Sequence, residues 1–283
     1  MLFPSVSSST FPEAVDRLAT RRRLLTGALV KLSGIVFVLA LWQVLSATGI
    51  LSADSFPSMS AVVSSVAKEL TAGKGWSAIG STLAGWGIGF AIGAAAAIAC
   101  GMAIGLNRFA FRSTILVIEF MKTIPVIAIL PLLLLQFGGT LKMEYVLVAF
   151  GVFWPLVIQV VYGVRSIDPV ARDTAEALRV TGLRRLWLIV LPSATPFIAT
   201  GLRIAAAVAL IIAVIAELIG GAAGLGRDIL LAQDSGASAL PLVYALIVIT
   251  GAIGIAIAVA FGLVERRLLR WHERFRGVQG GLA

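Results

Sequence analysis

Residues 81–107 read STLAGWGIGFAIGAAAAIACGMAIGLN, a run without Asp, Glu, Lys or Arg. As a helix rising about 1.5 Å per residue, such a run spans roughly 40 Å, more than the roughly 30 Å of a bilayer core. Four more runs lack charge in the same way: 32–51, 123–141, 145–164 and 235–264. A sixth apolar run, about 197–219, is interrupted only by Arg203 and Glu217 near its ends. Lipid offers backbone groups no water, so spans of this kind must satisfy their hydrogen bonds internally, as helices. The strict apolar–polar alternation of a membrane β-barrel is missing. The expected fold is therefore an all-α membrane protein with six transmembrane helices. The first run follows Arg21, Arg22, Arg23 and Lys31, as a signal peptide would, but it exceeds the usual apolar length of one, which favours an uncleaved anchor.

Composition agrees. Of 283 residues, 59% are hydrophobic and only 13% are charged, against about 25% in soluble domains. So few polar side chains can neither cover a soluble surface nor sustain disorder. The single His272 and single Cys100 exclude a His/Cys metal site, a disulfide framework and a Cys/His catalytic pair within one chain. The net charge of +9 would suggest nucleic acid in a soluble protein. Its placement says otherwise. With the N-terminus inside, the inner segments hold seventeen basic residues and the outer segments four, which puts both termini in the cytoplasm. The charge is then a topology signal, and no nucleic-acid partner is implied. The chain divides into a cytoplasmic segment 1–31, a transmembrane domain 32–264 and a basic cytoplasmic tail 265–283.

Between spans four and five, the inner connection at about 165–191 is long and has helical grammar of its own. Asp168 suits a helix N-cap and Pro169 the first helical position. No breaker follows until Gly182, which suits the C′ position that ends a helix. A capped helix here needs a partner, or else it lies on lipid headgroups, for which its arginines are suited. On the outer side, residues 60–70 form a short amphipathic pattern. The run 220–226 (GGAAGLG) is too Gly-rich for regular helix; it either contacts a partner, lines an entrance or simply connects.

Within the spans, Gly85, Gly89, Gly93, Ala97, Gly101 and Gly105 place a small residue at every fourth position, a face for close helix packing. Gly254, Ala258 and Gly262 repeat the theme in the last span. Pro125 and Pro131 remove backbone donors from the third span, which favours backbone lining a cavity or a simple packing kink. With Gln136 and Gln159 they are the candidate pathway residues; Trp154-Pro155 marks another kink. Glu119 and Lys122, three apart, suit a pair on one helix face. Arg203 suits snorkelling to the headgroups. Glu217 either orders the Gly-rich loop or contacts a partner outside.

Glu176-Ala177-Leu178-Arg179-Val180-Thr181-Gly182, followed by Leu191-Pro192, resembles the EAA loop of ABC importer permeases. The match departs at Leu178, where the family usually has a small Ala. Residues 192–203 (PSATPFIATGLR), Ile124-Pro125-Val126, Leu130-Pro131 and residues 216–220 (AELIG) resemble the branch that imports nitrate, taurine and alkanesulfonates. The resemblance covers roughly residues 56–266. It implies a multi-pass permease subunit of the bacterial cytoplasmic (inner) membrane that binds no cofactor of its own. Two partner ATPase subunits would use ATP and Mg, a second permease copy would complete a homodimer, and an extracytoplasmic substrate-binding protein would deliver the solute. Membrane lipid is the remaining partner. Asp173, Glu176, Ala177, Leu178, Gly182, Leu191 and Pro192 would couple the permease to the ATPase.

The chain has no phosphate-binding Gly-x-x-x-x-Gly-Lys-Ser/Thr loop, so it supplies no ATPase site. The alternative is an ion-gradient-driven secondary transporter, which would call for acidic or His pairs at mid-membrane and inverted repeats. An intramembrane enzyme would need a nucleophile–base or metal constellation, and the sole histidine lies in the tail. The charge partition makes a direct prediction. With Cys100 replaced, Lys74→Cys is expected to react with an impermeant thiol reagent added to intact cells and Asp173→Cys is not; the reverse labelling overturns the orientation.

Overall fold

Close approach of helix to helix is where the fold is built, and the small-residue face provides it. The computed structural model describes residues 33–34, 36–46, 48, 55–71 and 73–269. The predicted segment 1–31, positions 32, 35, 47 and 49–51 of the first span, and most of the tail, with His272, lie outside the described residues. The elements used below are α1 (Val36–Ser46), α2 (Met59–Thr71), α3 (Gly73–Leu106), α4 (Arg108–Met121), α5 (Leu130–Phe137) and α6 (Leu141–Arg165). They continue with α7 (Pro169–Ala177), α8 (Gly182–Arg185), α9 (Leu191–Gly220), α10 (Leu225–Asp234) and α11 (Leu240–Leu268). No strand occurs among the described residues.

The predicted row on α3 is buried along its whole length, from Gly85 to Gly105. It lies against α6. A methyl group at Gly89 would stand 2.5 Å from Val148 Cβ, one at Gly93 2.6 Å from the Ala149 carbonyl, and one at Gly101 2.6 Å from Val160 Cβ. Only hydrogen fits, and the backbones approach accordingly. An adjoining face of α6 packs on α9, where Gly163 meets Phe197 and Gly201 meets Leu156. Sandwiched in this way, α6 carries the best-buried core: Leu147, Val148, Val152, Val157, Val160 and Val161 are all fully enclosed. Trp86 completes the layer, its indole N–H donating to the Ala206 carbonyl at 2.9 Å and so tying α3 to α9.

Among the described residues, four helices are long and apolar enough to cross a membrane: Gly73–Leu106, Leu141–Arg165, Gly182–Gly220 and Ala237–Leu268. The expected third span differs. In place of one helix over 123–141, the chain forms Arg108–Met121 and Val126–Phe137, bent by 84°. Counted as one broken span, they make a fifth. Pro125 cannot donate to a preceding turn and disfavours helix at Ile124, so α4 stops at Met121 and a short 3₁₀ turn starts after Pro125. Pro131 falls in the first turn of α5, where no helical bond is lost. It does not leave an orphaned carbonyl inside a helix, as the sequence suggested. The prolines that do lie inside helices are Pro155 and Pro196.

Of the small residues Gly254, Ala258 and Gly262 in the last span, Gly254 alone packs on another described helix. Gly254 meets Leu210 at 3.3 Å, Ala258 is exposed and Gly262 faces open space. The amphipathic pattern at 60–70 is helical, as α2. The chain divides into two compact units, 1–62 and 63–283. In the first, Trp42 of α1 donates to the Pro57 carbonyl at 3.3 Å and Gln43 accepts from Met59 N–H at 3.1 Å.

The α3–α6 contact yields a stability prediction. Gly89→Val overpacks an interface that has no space and is expected to destabilise the purified protein by about 1–3 kcal/mol. Gly87→Ala, on a face with nothing within 4 Å, is expected to leave it unchanged. Thermal melting in detergent checks both.

Candidate functional site: the loop between α6 and α9

The loop helix α7 forms where its capping residues placed it. Asp168 accepts a hydrogen bond from Val170 N–H at 2.8 Å, and Pro169 opens the helix. Its end differs from the expectation. The helix closes at Ala177, and Arg179 rather than Gly182 takes the left-handed conformation, with φ of 52°. Arg179 N–H donates to the Glu176 carbonyl at 3.1 Å and Val180 N–H to the Ala175 carbonyl at 2.9 Å, a Schellman closure. An Arg at that position is uncommon, so the first glycine in the run was a misleading marker. Gly182 also has a positive φ, of 59°, but there it starts the next helix.

One face of α7 is committed inward through Ala175, which is buried. Asp173, Glu176, Ala177 and Leu178 are exposed, Leu178 by 71%. The Glu176 carboxylate has only Arg172, at 3.6 Å on the same exposed face. Such a surface pair contributes little, which leaves Glu176 free for another contact. Leu191 and Pro192 lie further on, half-buried, in the helical run Gly182–Gly220. Pro192 cannot donate to the carbonyl four residues back, and the helix widens to a π turn over Leu186–Val190 just before it. Five of the seven predicted residues, 173 to 182, thus share one compact loop, and the other two start the helix that leaves it.

The pathway candidates do not converge in this way. Pro125, Pro131 and Gln136 are exposed on the broken α4–α5 segment. Gln159 is half-buried on α6, its side chain packed toward Gly201 of α9.

A second polar site was only partly legible. Glu217 is fully buried near the end of α9 and accepts a hydrogen bond from Gly226 N–H at 2.7 Å. It orders the Gly-rich turn. Gly224 leaves room for its carboxylate, and Gly221, with φ of 73°, ends the helix. Beyond that turn the chain is helical again as α10, contrary to the expected irregular run through Gly226. Thr82 of α3, buried, accepts from Leu225 N–H at 2.9 Å. Glu144, which in the sequence directly precedes the uncharged run 145–164, is fully buried too, its carboxylate set into the space over Gly85. Its spacing from Leu147 and Val148, three and four residues on, was the available signal. The Glu119–Lys122 pair forms as expected, and Tyr162 donates to Glu119 at 3.1 Å. Arg203 pairs with Glu265 of α11 at 3.1 Å, and Thr200 donates to the same carboxylate at 2.8 Å.

In sequence and in fold the chain is similar to known proteins. The family described as "Binding-protein-dependent transport system inner membrane component" matches residues 87–270. The chain belongs to this family. It is 27% identical over 240 residues to the putative aliphatic sulfonates transport permease protein SsuC of Bacillus subtilis, covering 85% of this chain and 86% of that protein. It is 32% identical over 176 residues to the taurine transport system permease protein TauC of Escherichia coli, covering 62% and 63%. In fold it is similar to an amino acid ABC transporter crystallised with histidines, with a TM-score of 0.58 and 19% identity over 68% of this chain and 92% of that one. The chain is thus a multi-pass ABC importer permease of the nitrate, taurine and sulfonate branch, a family whose permease subunits carry no ATPase site.

The permease's Glu217 turn is testable. Glu217→Ala leaves the buried Gly226 N–H without an acceptor and is expected to cost about 1–3 kcal/mol of stability. Glu217→Gln keeps an acceptor and is expected to cost less, both read by melting in detergent.

Proposed function

We propose that the permease forms the translocation pathway of an ATP-driven importer for a small anionic solute such as nitrate, taurine or an alkanesulfonate. The observation that carries this reading is α7, a capped helix whose exposed face presents Glu176, Ala177 and Leu178 with no side-chain partner for them among the described residues beyond Arg172. In the proposed assembly that face docks in a cleft of an ATPase subunit, with Leu178 the apolar anchor and Glu176 the polar contact. Gly182 turns the chain back toward the membrane. Two ATPase subunits hydrolyse ATP with Mg, two permease copies form a homodimer, and an extracytoplasmic binding protein delivers the solute. The chain sits in the bacterial inner membrane with both termini cytoplasmic and six spans, α1 and the broken α4–α5 pair counting among them.

One observation bears on the ion-driven alternative: Glu144 and Glu217 are acids fully buried in apolar helices, the residue type a gradient-driven carrier uses. Glu217, however, is engaged by the backbone of its own turn. The experiment separates the readings. Glu176→Ala is expected to weaken ATPase co-purification, or substrate-stimulated ATP hydrolysis in reconstituted vesicles, by about fivefold or more, while the binding protein keeps its ligand affinity. Undiminished coupling in that variant, or gradient-driven uptake by this chain without ATP, refutes the assignment.

A further inference from the structure

Beside the same loop lies a feature that the proposed docking residues Glu176, Ala177 and Leu178 do not line. An open cavity of about 700 Å³ lies between the end of α3, the start of α4, the end of α6 and the turn leading into α9. Arg108, Arg165, Arg172 and Arg185 line it, and no acidic residue does. Their charge is not neutralised within the chain. Arg172 has only its long contact with Glu176, and Arg108, Arg165 and Arg185 have no acidic partner among the described residues. Arg165 is nevertheless held in place, its guanidinium 3.9 Å from the centre of the Phe111 ring. Four like charges around one cavity repel each other until an anion enters.

The rest of the wall is apolar, with Leu106, Val164, Ile167, Leu183, Leu186 and Val190. Leu106 is 53% exposed and Leu183 75%. A free anion would satisfy the arginines and leave those leucines facing water. An acidic protein segment would do the same. A phospholipid meets both halves of the wall, with its phosphate on the guanidiniums and its chain on the leucines. The cavity also sits at the ends of three membrane-length helices, the depth at which headgroups lie.

We propose that this cavity binds an anionic phospholipid of the leaflet on the α7 side, its phosphate held by Arg108, Arg165 and Arg185 and an acyl chain laid along Leu106 and Leu183. The site requires only that these helices cross a bilayer; it stands whether or not α7 docks on an ATPase. The bound lipid would pin the base of the loop to the membrane.

Native mass spectrometry of the full chain in detergent, alone and with its ATPase, tests this with equimolar phosphatidylglycerol and phosphatidylcholine. Wild type and the control Arg112→Gln/Arg184→Gln, whose arginines lie outside the cavity, are expected to retain phosphatidylglycerol preferentially. Arg165→Gln/Arg185→Gln is expected to lose that preference by about tenfold or more. Should the double variant not fold, Arg185→Gln alone is expected to show a smaller loss in the same direction. Equal retention of the two lipids, unchanged retention in the variants, displacement by millimolar inorganic phosphate, or expulsion of the lipid when the ATPase binds would each overturn the proposal. The last two outcomes identify a free-anion site and a protein interface respectively. None of these readings depends on transport, so failure of the importer assignment and failure of the lipid site are separately visible.

Discussion

The arrangement depends on one contact, the approach of α3 to α6 across a face of glycines. In lipid, apolar side chains gain nothing by leaving one apolar environment for another, so helices are held by close van der Waals contact and by polar links. Hydrogen at Gly89, Gly93 and Gly101 lets the α3 backbone sit on Val148, Ala149 and Val160 of α6. Because α6 then lies between α3 and α9, that contact also fixes α9, and α9 carries both polar regions of the chain. The Glu217 turn reaches Thr82 where α3 and α9 also touch each other directly, with Trp86 bonded across to Ala206.

Ionisable groups in or beside apolar helices are accommodated by partners. Glu119 pairs with Lys122 three residues on and accepts from Tyr162. Arg203 reaches across to Glu265 on α11, which connects α9 to the last helix. Glu217 takes a backbone N–H. Each solution joins two parts of the chain, so each also constrains geometry: the first braces α4 on α6, the second α9 on α11, and the third folds the turn after α9 back on itself.

The sequence exposed these features unequally. The four long apolar helices were legible because absence of charge is a one-dimensional signal. The small-residue face of α3 was legible for the same reason, its period being that of a helix. The start of α7 could be read from Asp168 and Pro169, since capping is local. Its end could not, because Arg179 adopts a left-handed conformation for which its side chain gives no warning; the closure is imposed by the hydrogen bonds to Glu176 and Ala175. The break at Pro125 was marked, but its 84° size depends on how α4 and α5 pack. The burial of Glu144 and the Arg203–Glu265 pair were hidden for a shared reason: each is decided by residues far away in the chain, at Gly85 and 62 positions on.

The helical run Gly182–Gly220 connects these parts mechanically. Its 39 residues would extend roughly 58 Å at about 1.5 Å per residue, well beyond a core of about 30 Å. It therefore cannot lie wholly within lipid. One end emerges as the turn beside α7, and the other closes in the Glu217 pocket against α3. A packed helix transmits displacement along its axis better than a loop does, provided its packing holds. On the proposed reading, movement of α7 beneath the membrane would enter this helix at Gly182. The π turn at Leu186–Val190 and Pro196 are the places where it would be absorbed by bending. What passes beyond Gly201, where α9 is locked against Leu156, would arrive at Glu217 and the α10 turn. The same helix that tethers the loop is thus the one whose opposite end orders the turn, and its bend points lie on the loop side of the lock.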